Sequence, residues 1–136
     1  MYDTELTVAG NLTADPDLRF APSGAASARF TLASTPRVFD SRTGRWADGE
    51  TLFIRCVAWR DLAENAGESL SKGVRVLARG RLRQREYETS AGERRQVVEL
   101  EVDECGPSLR FATTSVSRSR RNPSTLSSEW SSNGDQ

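Results

Sequence analysis

The sequence lacks histidine and has few cysteines. Its 136 residues contain no histidine and two cysteines, which removes imidazole acid–base chemistry and the commonest metal ligand. Cys56 and Cys105 lie far apart without a CxxC pattern, so neither a zinc site nor a dithiol redox motif is indicated. We therefore expect a protein that is not an enzyme and that uses no metal or other cofactor.

Net charge is also absent. Lys and Arg number 19 and so do Asp and Glu, which gives a formal charge of zero. Binding of polyanions by bulk attraction is thereby excluded, and any nucleic-acid contact must come from a local patch. Lys72 is the only lysine. The arginine excess favours stacking and bidentate phosphate contacts, although a GC-rich coding bias is the stronger explanation.

The N-terminal residues Met1–Glu5 include no basic leader or apolar run, and no apolar stretch is long enough to cross a membrane. We expect a cytoplasmic protein whose thiols are reduced. Cys56 alternates with apolar residues, which predicts a small buried core residue. The alternative hypothesis is that Cys56 or Cys105 forms a disulfide within or between subunits.

An arginine-rich strand is the most informative feature present. The run from Val74 to Tyr87 alternates with a period of two, and one of its faces collects arginines and a terminal tyrosine. This face comprises Arg75, Leu77, Arg79, Arg81, Arg83, Arg85 and Tyr87. Such spacing suits an extended polyanion, with the tyrosine as a stacking surface.

A second alternating run, Gln96 to Glu104, carries acidic residues on one face and predicts a hairpin with the arginine strand. The predicted register sets Arg83 opposite Glu99, Arg81 opposite Glu101 and Arg79 opposite Asp103. It also sets Arg85 opposite Val97 and Tyr87 opposite Arg95, so we expect ligand contact at this uncompensated end. For Arg75, Arg79 and Arg81, two interpretations are equally supported: they bind a ligand, or they form salt bridges on a solvated face of the sheet.

The run Thr51 to Trp59 predicts a strand with two largely apolar faces. Phe53, Arg55, Val57 and Trp59 share one of them. Because a barrel needs only one apolar face, this second face predicts either stacked bases or a subunit interface. The long loop before it includes Arg37, Phe39 and Trp46, a mixture of basic and aromatic residues that could close over a bound strand as a flap.

The order of elements predicts an all-β fold. Two strands precede the Thr51–Trp59 strand, and Leu62, Ala66 and Leu70 then predict a short helix capped by Asp61 or a neighbour and stopped by Gly73. The arginine hairpin follows. This is the order of the oligonucleotide/oligosaccharide-binding (OB) barrel, a five-stranded Greek key with one short helix between strands 3 and 4. Residues 108–114 predict a further short strand.

The composition divides the chain into an OB domain over residues 1–113 and a disordered Ser/Arg-rich tail over residues 114–136. Trp130 is the one aromatic residue in that tail. Asp15, Asp17, Asp40 and Asp48 sit singly in predicted loops and form no recognisable metal pair. A nuclease is therefore a distant alternative.

Several motifs occur together in a specific order. They are Gly10-Asn11-Leu12, Asp15-Pro16, Arg19, Phe30-Thr31-Leu32-Ala33, Thr43-Gly44, Arg55, Trp59 with Leu62-Ala63-Glu64, Lys72-Gly73 and Gly80-Arg81-Leu82-Arg83. Over roughly Thr4 to Arg110 the chain resembles the bacterial single-stranded DNA-binding protein family. The resemblance implies an OB-fold subunit of a homotetramer that wraps single-stranded DNA.

The resemblance also implies roles for individual residues. Phe53, Trp59 and Tyr87 fall at the family's stacking aromatics, whereas Arg55, Arg83 and Arg85 fall at its basic DNA contacts. Val38 replaces another stacking tryptophan of the family, and Phe39 or Trp46 would have to supply that contact. The DNA-stacking residues are thus predicted to be Phe53, Trp59, Tyr87, Phe39 and Trp46, and the phosphate contacts Arg37, Arg55, Arg83, Arg85 and Arg95.

The chain ends in Ser132-Asn133-Gly134-Asp135-Gln136, where the family's main replication form has an acidic tip that recruits other proteins. We expect a tail-less second paralogue, as in high-GC Gram-positive bacteria, without that recruitment. Residues 102–110 also resemble that group, whose extra terminal strand clamps subunits into dimers. The expected function is sequence-independent binding and protection of single-stranded DNA in replication, repair, recombination or segregation. The alternative is a structural or protein-interaction subunit with weak DNA affinity.

Overall fold

Eight strands and one helix make up the described part of the computed structural model, which covers residues 3–119. The predicted tail residues 120–136, Trp130 among them, lie outside the described residues. In chain order the elements are β1 Glu5–Leu12, β2 Asp17–Phe20, β3 Ala26–Ser34, β4 Arg37–Asp40, β5 Arg45–Asp48, β6 Leu52–Trp59, α1 Arg60–Ser69, β7 Arg75–Glu88 and β8 Arg94–Pro107.

Five strands close into a barrel. The sheet order is β1-β7-β8-β6-β3, and β1 also pairs with β3 at Asn11↔Ala33 and Leu12↔Leu32, which closes the ring. All of these pairs are antiparallel except β6–β8. The short β2 extends the sheet beyond β3, and α1 lies between β6 and β7 in the chain. The predicted all-β OB-type barrel with one short helix is confirmed.

The core forms from the inward faces of the strands. On β3 the burial alternates, so that Ala28, Phe30 and Leu32 point inward while their neighbours are partly exposed, as expected for a strand with one buried face. The largest fully buried side chains are Leu32, Leu100, Val76 and Cys56, one from each of four barrel strands. Burial of Cys56 was correctly predicted.

Helix α1 covers part of the core with Ala66, and Leu70 follows it into the same cluster. The prediction that the side chain of Asp61 or a neighbour caps the helix is wrong, because Trp59 occupies the N-cap position without a side-chain cap hydrogen bond and Asp61 lies in the first turn. Gly73 adopts a φ of +89°, which glycine tolerates best, and its N–H donates to the carbonyl of Leu12 at 2.9 Å.

The β7–β8 hairpin has the predicted register at its tip. Glu88 pairs with Arg94, Arg83 with Glu99 and Arg81 with Glu101. A bulge between Arg79 and Gly80 then shifts the ladder, so that Arg79 lies opposite Glu104 and not Asp103. Register arguments could not anticipate this extra residue, because an alternating sequence carries no mark of where a bulge falls.

Residues 108–114 form no strand, contrary to prediction. The pairing of β7 with β8 instead continues to Val76↔Pro107, and the N–H of Ser108 donates to the carbonyl of Arg75 at 2.8 Å. Of residues 102–110, which resemble the segment that clamps subunits in that group, residues 102–107 belong to β8 and pair with β7 of their own chain. The clamp between subunits stays a prediction.

Candidate nucleic-acid interface

A groove of about 440 Å³ runs across one side of the barrel. It is lined by the β1–β2 connection, by the first residue of β2 and by strands β3, β6, β7 and β8. The lining residues are Thr13, Ala14, Asp15, Asp17, Arg29, Phe30, Thr31, Arg55, Cys56, Arg85, Tyr87, Val97 and Glu99. The groove therefore brings together Arg55, Arg85 and Tyr87. These three predicted DNA contacts come from two distant segments of the sequence.

Three large aromatic side chains are exposed on the strands around this groove. Phe53 is 64% exposed, Trp59 45% and Tyr87 41%. Phe53 and Trp59 stand at either end of β6, on the same face as Arg55, and Tyr87 stands near the tip of β7. Aromatic rings of this size are normally used to fill a core or an interface, so their exposure favours a ligand that stacks on them.

Arg55 lies between Phe53 and Trp59 on β6, opposite Thr31 of β3. It is exposed, and within residues 3–119 no carboxylate lies within ion-pair distance of it. The other four predicted phosphate contacts are paired: Arg37 with Asp48, Arg83 with Glu101, Arg85 with Glu99 and Arg95 with Glu93. Arg55 is thus the best-placed cation for a phosphate.

The end of the hairpin is not uncompensated, contrary to expectation. Although Arg85 lies opposite Val97 in the ladder, its Nε donates to Oε1 of Glu99 at 3.1 Å, two pairs further along the ladder. Arg95 lies 3.5 Å from a carboxylate oxygen of Glu93. Cross-strand partners alone mislead here, because a long arginine side chain reaches the diagonal neighbour as readily as the opposite one.

Arg79 and Arg81, further from the hairpin end, form salt bridges, which is one of the two alternatives predicted for them; the other was contact with a ligand. Arg79 contacts Glu5 and, at 3.4 Å, Asp103. Arg81 lies 3.1 Å from Glu101. Arg75 differs, since its guanidinium carbon stands 5.8 Å from the ring centre of Phe111. These residues lie on the barrel wall and do not line the groove.

Glu99 and Arg29 are groove residues that the sequence analysis did not select as site residues. Glu99 is buried, with 7% of its surface exposed, and Arg29 Nη2 lies 3.5 Å from the same Oε1 that Arg85 contacts. The alternation of β8 had placed Glu99 among several acids on one face, opposite Arg83. Its burial could not be read from β8 alone, because it depends on side chains of β3 and β7 that approach Glu99 only in the folded barrel.

Phe39 and Trp46 lie on a separate hairpin, β4–β5, in a two-stranded sheet of its own. They pair with each other across the two strands in an edge-to-face arrangement, with ring centres 5.5 Å apart, and both are exposed. Neither lines the groove. That they stack on DNA bases stays a prediction, because the β4–β5 hairpin would have to move toward the groove before either ring could contact a strand bound there.

Cys56 and Cys105 are free thiols, and no disulfide joins them in the structure. Burial raises the pKa of Cys56 to about 12, with smaller contributions from the nearby Cys105 and Glu99 charges. Burial, followed by the charge of Glu104, raises the pKa of Cys105 to about 11. Since the thiolate is the reactive form, both groups are poor nucleophiles at neutral pH. A disulfide between subunits stays a prediction.

No group of three or more His, Cys, Asp or Glu side chains within residues 3–119 is arranged to hold a metal ion. In the same part of the chain, no helix has the length and apolar character to span a membrane. What the described site does offer is exposed aromatic rings and an unpaired arginine that lines a groove.

Comparisons with known proteins agree on one family. A sequence model described as the single-strand binding protein family matches residues 3–108. The single-stranded DNA-binding protein of Mycolicibacterium smegmatis is 63% identical over 119 residues, covering 88% of this chain and 72% of that protein. The protein of that name from Mycobacterium tuberculosis H37Rv is 61% identical over 119 residues, covering 88% and 73%. The crystal structure of a small single-stranded DNA-binding protein from Streptomyces coelicolor superposes with a TM-score of 0.67 at 34% identity, covering 80% of this chain and 97% of that chain.

Proposed function

Because the chain belongs to the single-strand binding protein family, we propose that it binds single-stranded DNA without sequence preference. By coating the strand it protects DNA during replication, repair, recombination or segregation. The single observation that carries this proposal is a set of three exposed rings beside an unpaired arginine: Phe53 and Trp59 flank Arg55 on β6, and Tyr87 lines the same groove as Arg55.

Stacking supplies most of the affinity in this proposal. Three arginines and three carboxylates line the groove, so its net electrostatic attraction for a polyanion is small. Each base stacked on an aromatic ring contributes about 1–3 kcal/mol, and it does so whatever its identity because every base has a π-face. A site that works by stacking therefore tolerates any sequence.

The same geometry discriminates against duplex DNA. In a duplex the base faces are already stacked on one another, and only base edges and phosphates are accessible to a protein. Phe53 and Trp59 lie on one face of a strand and can reach only bases that are unstacked. Arg55 between them meets the phosphate of such a strand, as an arginine donates two parallel hydrogen bonds to a phosphate.

Titration of tryptophan fluorescence with oligo(dT), beside a duplex of equal length, tests the proposal. We expect the single strand to quench the fluorescence and the duplex to leave it unchanged. Trp59→Ala should weaken binding by about 10- to 100-fold, as expected for the loss of one stacked base. Phe20→Ala is the matched control, because Phe20 is also an exposed aromatic ring, but it lies on β2 and not on the β6 face that carries Phe53, Arg55 and Trp59. Equal binding of the two variants would contradict the proposal.

The finer features stay proposals. We propose a homotetramer, supported by the exposed Leu77 on the barrel wall beside its cross-strand neighbour Ala9 on β1. Light scattering would give the mass of the assembly. We further propose that the protein is not an enzyme, and that it works in the cytoplasm on nucleoid DNA. If oligo(dT) gave neither quenching nor competition, an OB-type protein-interaction subunit would become the leading alternative.

A further inference from the structure

Glu99 stands out because it is a buried charge inside a binding groove. In the described part of the chain it is the one charged residue that is buried. Its Oε1 lies 3.1 Å from Nε of Arg85 and 3.5 Å from Nη2 of Arg29. One carboxylate oxygen on β8 thus contacts guanidinium groups from both β7 and β3.

The burial of Glu99 depends on these two partners. A carboxylate removed from water costs several kcal/mol unless cations and hydrogen bonds compensate for it. The two arginines provide that compensation, yet each keeps part of its side chain exposed, 43% for Arg85 and 39% for Arg29. Since a guanidinium carries five N–H donors, both arginines retain donors that point away from Glu99.

We infer that Glu99 is an internal competitor for DNA phosphate. In the free protein its carboxylate holds Arg85 and Arg29, and a phosphate entering the groove must draw a guanidinium away from it or share it. This inference rests on the proposed function, because it concerns the same groove. The consequence is that the protein binds DNA less tightly, and with a weaker salt dependence, than its arginines would otherwise allow.

The position of Glu99 distinguishes it from the other acidic partners. Glu5 also pairs with an arginine, Arg79, but both lie on the barrel wall and neither lines the groove. Glu99 lines the same groove as Arg55 and Tyr87. A phosphate near those residues meets the negative charge of Glu99 as well as the arginines that Glu99 holds.

Glu99→Gln tests the inference, because glutamine keeps the shape and an acceptor oxygen but removes the charge. We expect oligo(dT) to bind about tenfold more tightly, which is about 1.4 kcal/mol. The slope of log K against log salt should steepen by about 0.7, the value for one additional phosphate contact on a single strand. Glu5→Gln makes the same change in net charge outside the groove and should stay within about twofold of wild type.

A double-mutant cycle identifies the partner through which Glu99 acts. In an Arg85→Ala background, the gain from Glu99→Gln should fall to about threefold or less, because the principal guanidinium to be released is gone. An undiminished tenfold gain would overturn the assignment of Arg85 as the released group. Circular dichroism and a thermal melt of each variant confirm that the comparison is between folded proteins.

Other outcomes separate this inference from the proposed function. If the wild-type protein did not bind oligo(dT), both the proposed function and this inference would be overturned. If the wild-type protein binds, but folded Glu99→Gln binds no more tightly, or Glu5→Gln gains as much affinity as Glu99→Gln, only the inference would be overturned. If Glu99→Gln does not fold, the wild-type NMR signal of the Arg85 Nε–H, assigned by its absence in Arg85→Lys, provides the test. Oligo(dT) should shift that signal as its acceptor changes, and an unmoved signal would overturn the inference.

Discussion

Gly80 permits β7 and β8 to approach each other at the bulge, and replacing it with alanine should disrupt the barrel. A Cβ built at this position would lie 2.1 Å from the carbonyl oxygen of Glu101 and 2.9 Å from the Cα of Val102. Real Cβ atoms essentially never come within 3.0 Å of such neighbours, so the strands would have to separate by about an ångström. The obstacle is backbone, which cannot rotate away as a side chain can.

The expected cost of Gly80→Ala follows from that geometry. Overpacking a well-packed interior costs about 1–3 kcal/mol and sometimes more, and we place this case at about 3 kcal/mol or above because a ladder of backbone hydrogen bonds must move. For about 100 ordered residues, such a loss lowers the melting temperature by about 12 °C or more. Urea unfolding, followed by circular dichroism at one fixed protein concentration, measures the loss in free energy of unfolding.

Gly106→Ala is the matched control on the facing strand. Its Cβ would meet no atom within 4 Å, and Gly106 is not among the glycines with positive φ. Because alanine in a strand is about 0.5–1 kcal/mol more favourable than glycine, this variant should be as stable as wild type or slightly more so. Similar stabilities for Gly80→Ala and Gly106→Ala would refute the argument that close backbone approach requires glycine at position 80.

Three further predictions concern single residues. Arg55→Ala should flatten the salt dependence of oligo(dT) binding by about 0.7, the loss of one phosphate contact, whereas an unchanged slope would exclude Arg55 as a phosphate ligand. Arg60 has a φ of 59° at the start of α1, so Arg60→Gly should stabilise the protein by about 1 kcal/mol in urea unfolding; a loss of stability would contradict this source of strain. Cys56 has a pKa raised from 9.0 to about 12, so its thiol is protonated in the folded protein and ionised in the unfolded chain between these values. Stability should therefore fall with rising pH from about 9 to 12, and less steeply in Cys56→Ala; equal slopes would contradict the shift.

The barrel could be predicted from the sequence because strands with one buried face show a regular alternation of residue types with a period of two. The alternation in β6 and β7 identified both strands, and the arginine–acid complementarity fixed the hairpin register from Glu88↔Arg94 to Arg81↔Glu101. Glu104 opposite Arg79 was missed because a bulge adds one residue without changing the alternating pattern on either side.

The site was predictable in its aromatic residues and less so in its charges. Exposed rings at Phe53, Trp59 and Tyr87 follow from alternation and the family resemblance together. Which arginines are free does not follow, because it depends on side chains that meet across three strands. Glu99 is the clearest case: its partner Arg29 lies far from it in the chain, and no local pattern relates the two.

The closure of the barrel has a consequence for how the chain folds. The β7–β8 hairpin joins neighbouring segments, and such hairpins form within microseconds. The first strand, by contrast, pairs with β7, so that Glu5 lies opposite Arg81, which is 76 positions later in the chain. During synthesis Leu6 and Val8 of β1 therefore stay unpaired until β7 has left the ribosome. Folding should therefore be limited by the late docking of β1 and take milliseconds to seconds, as in other domains dominated by distant contacts.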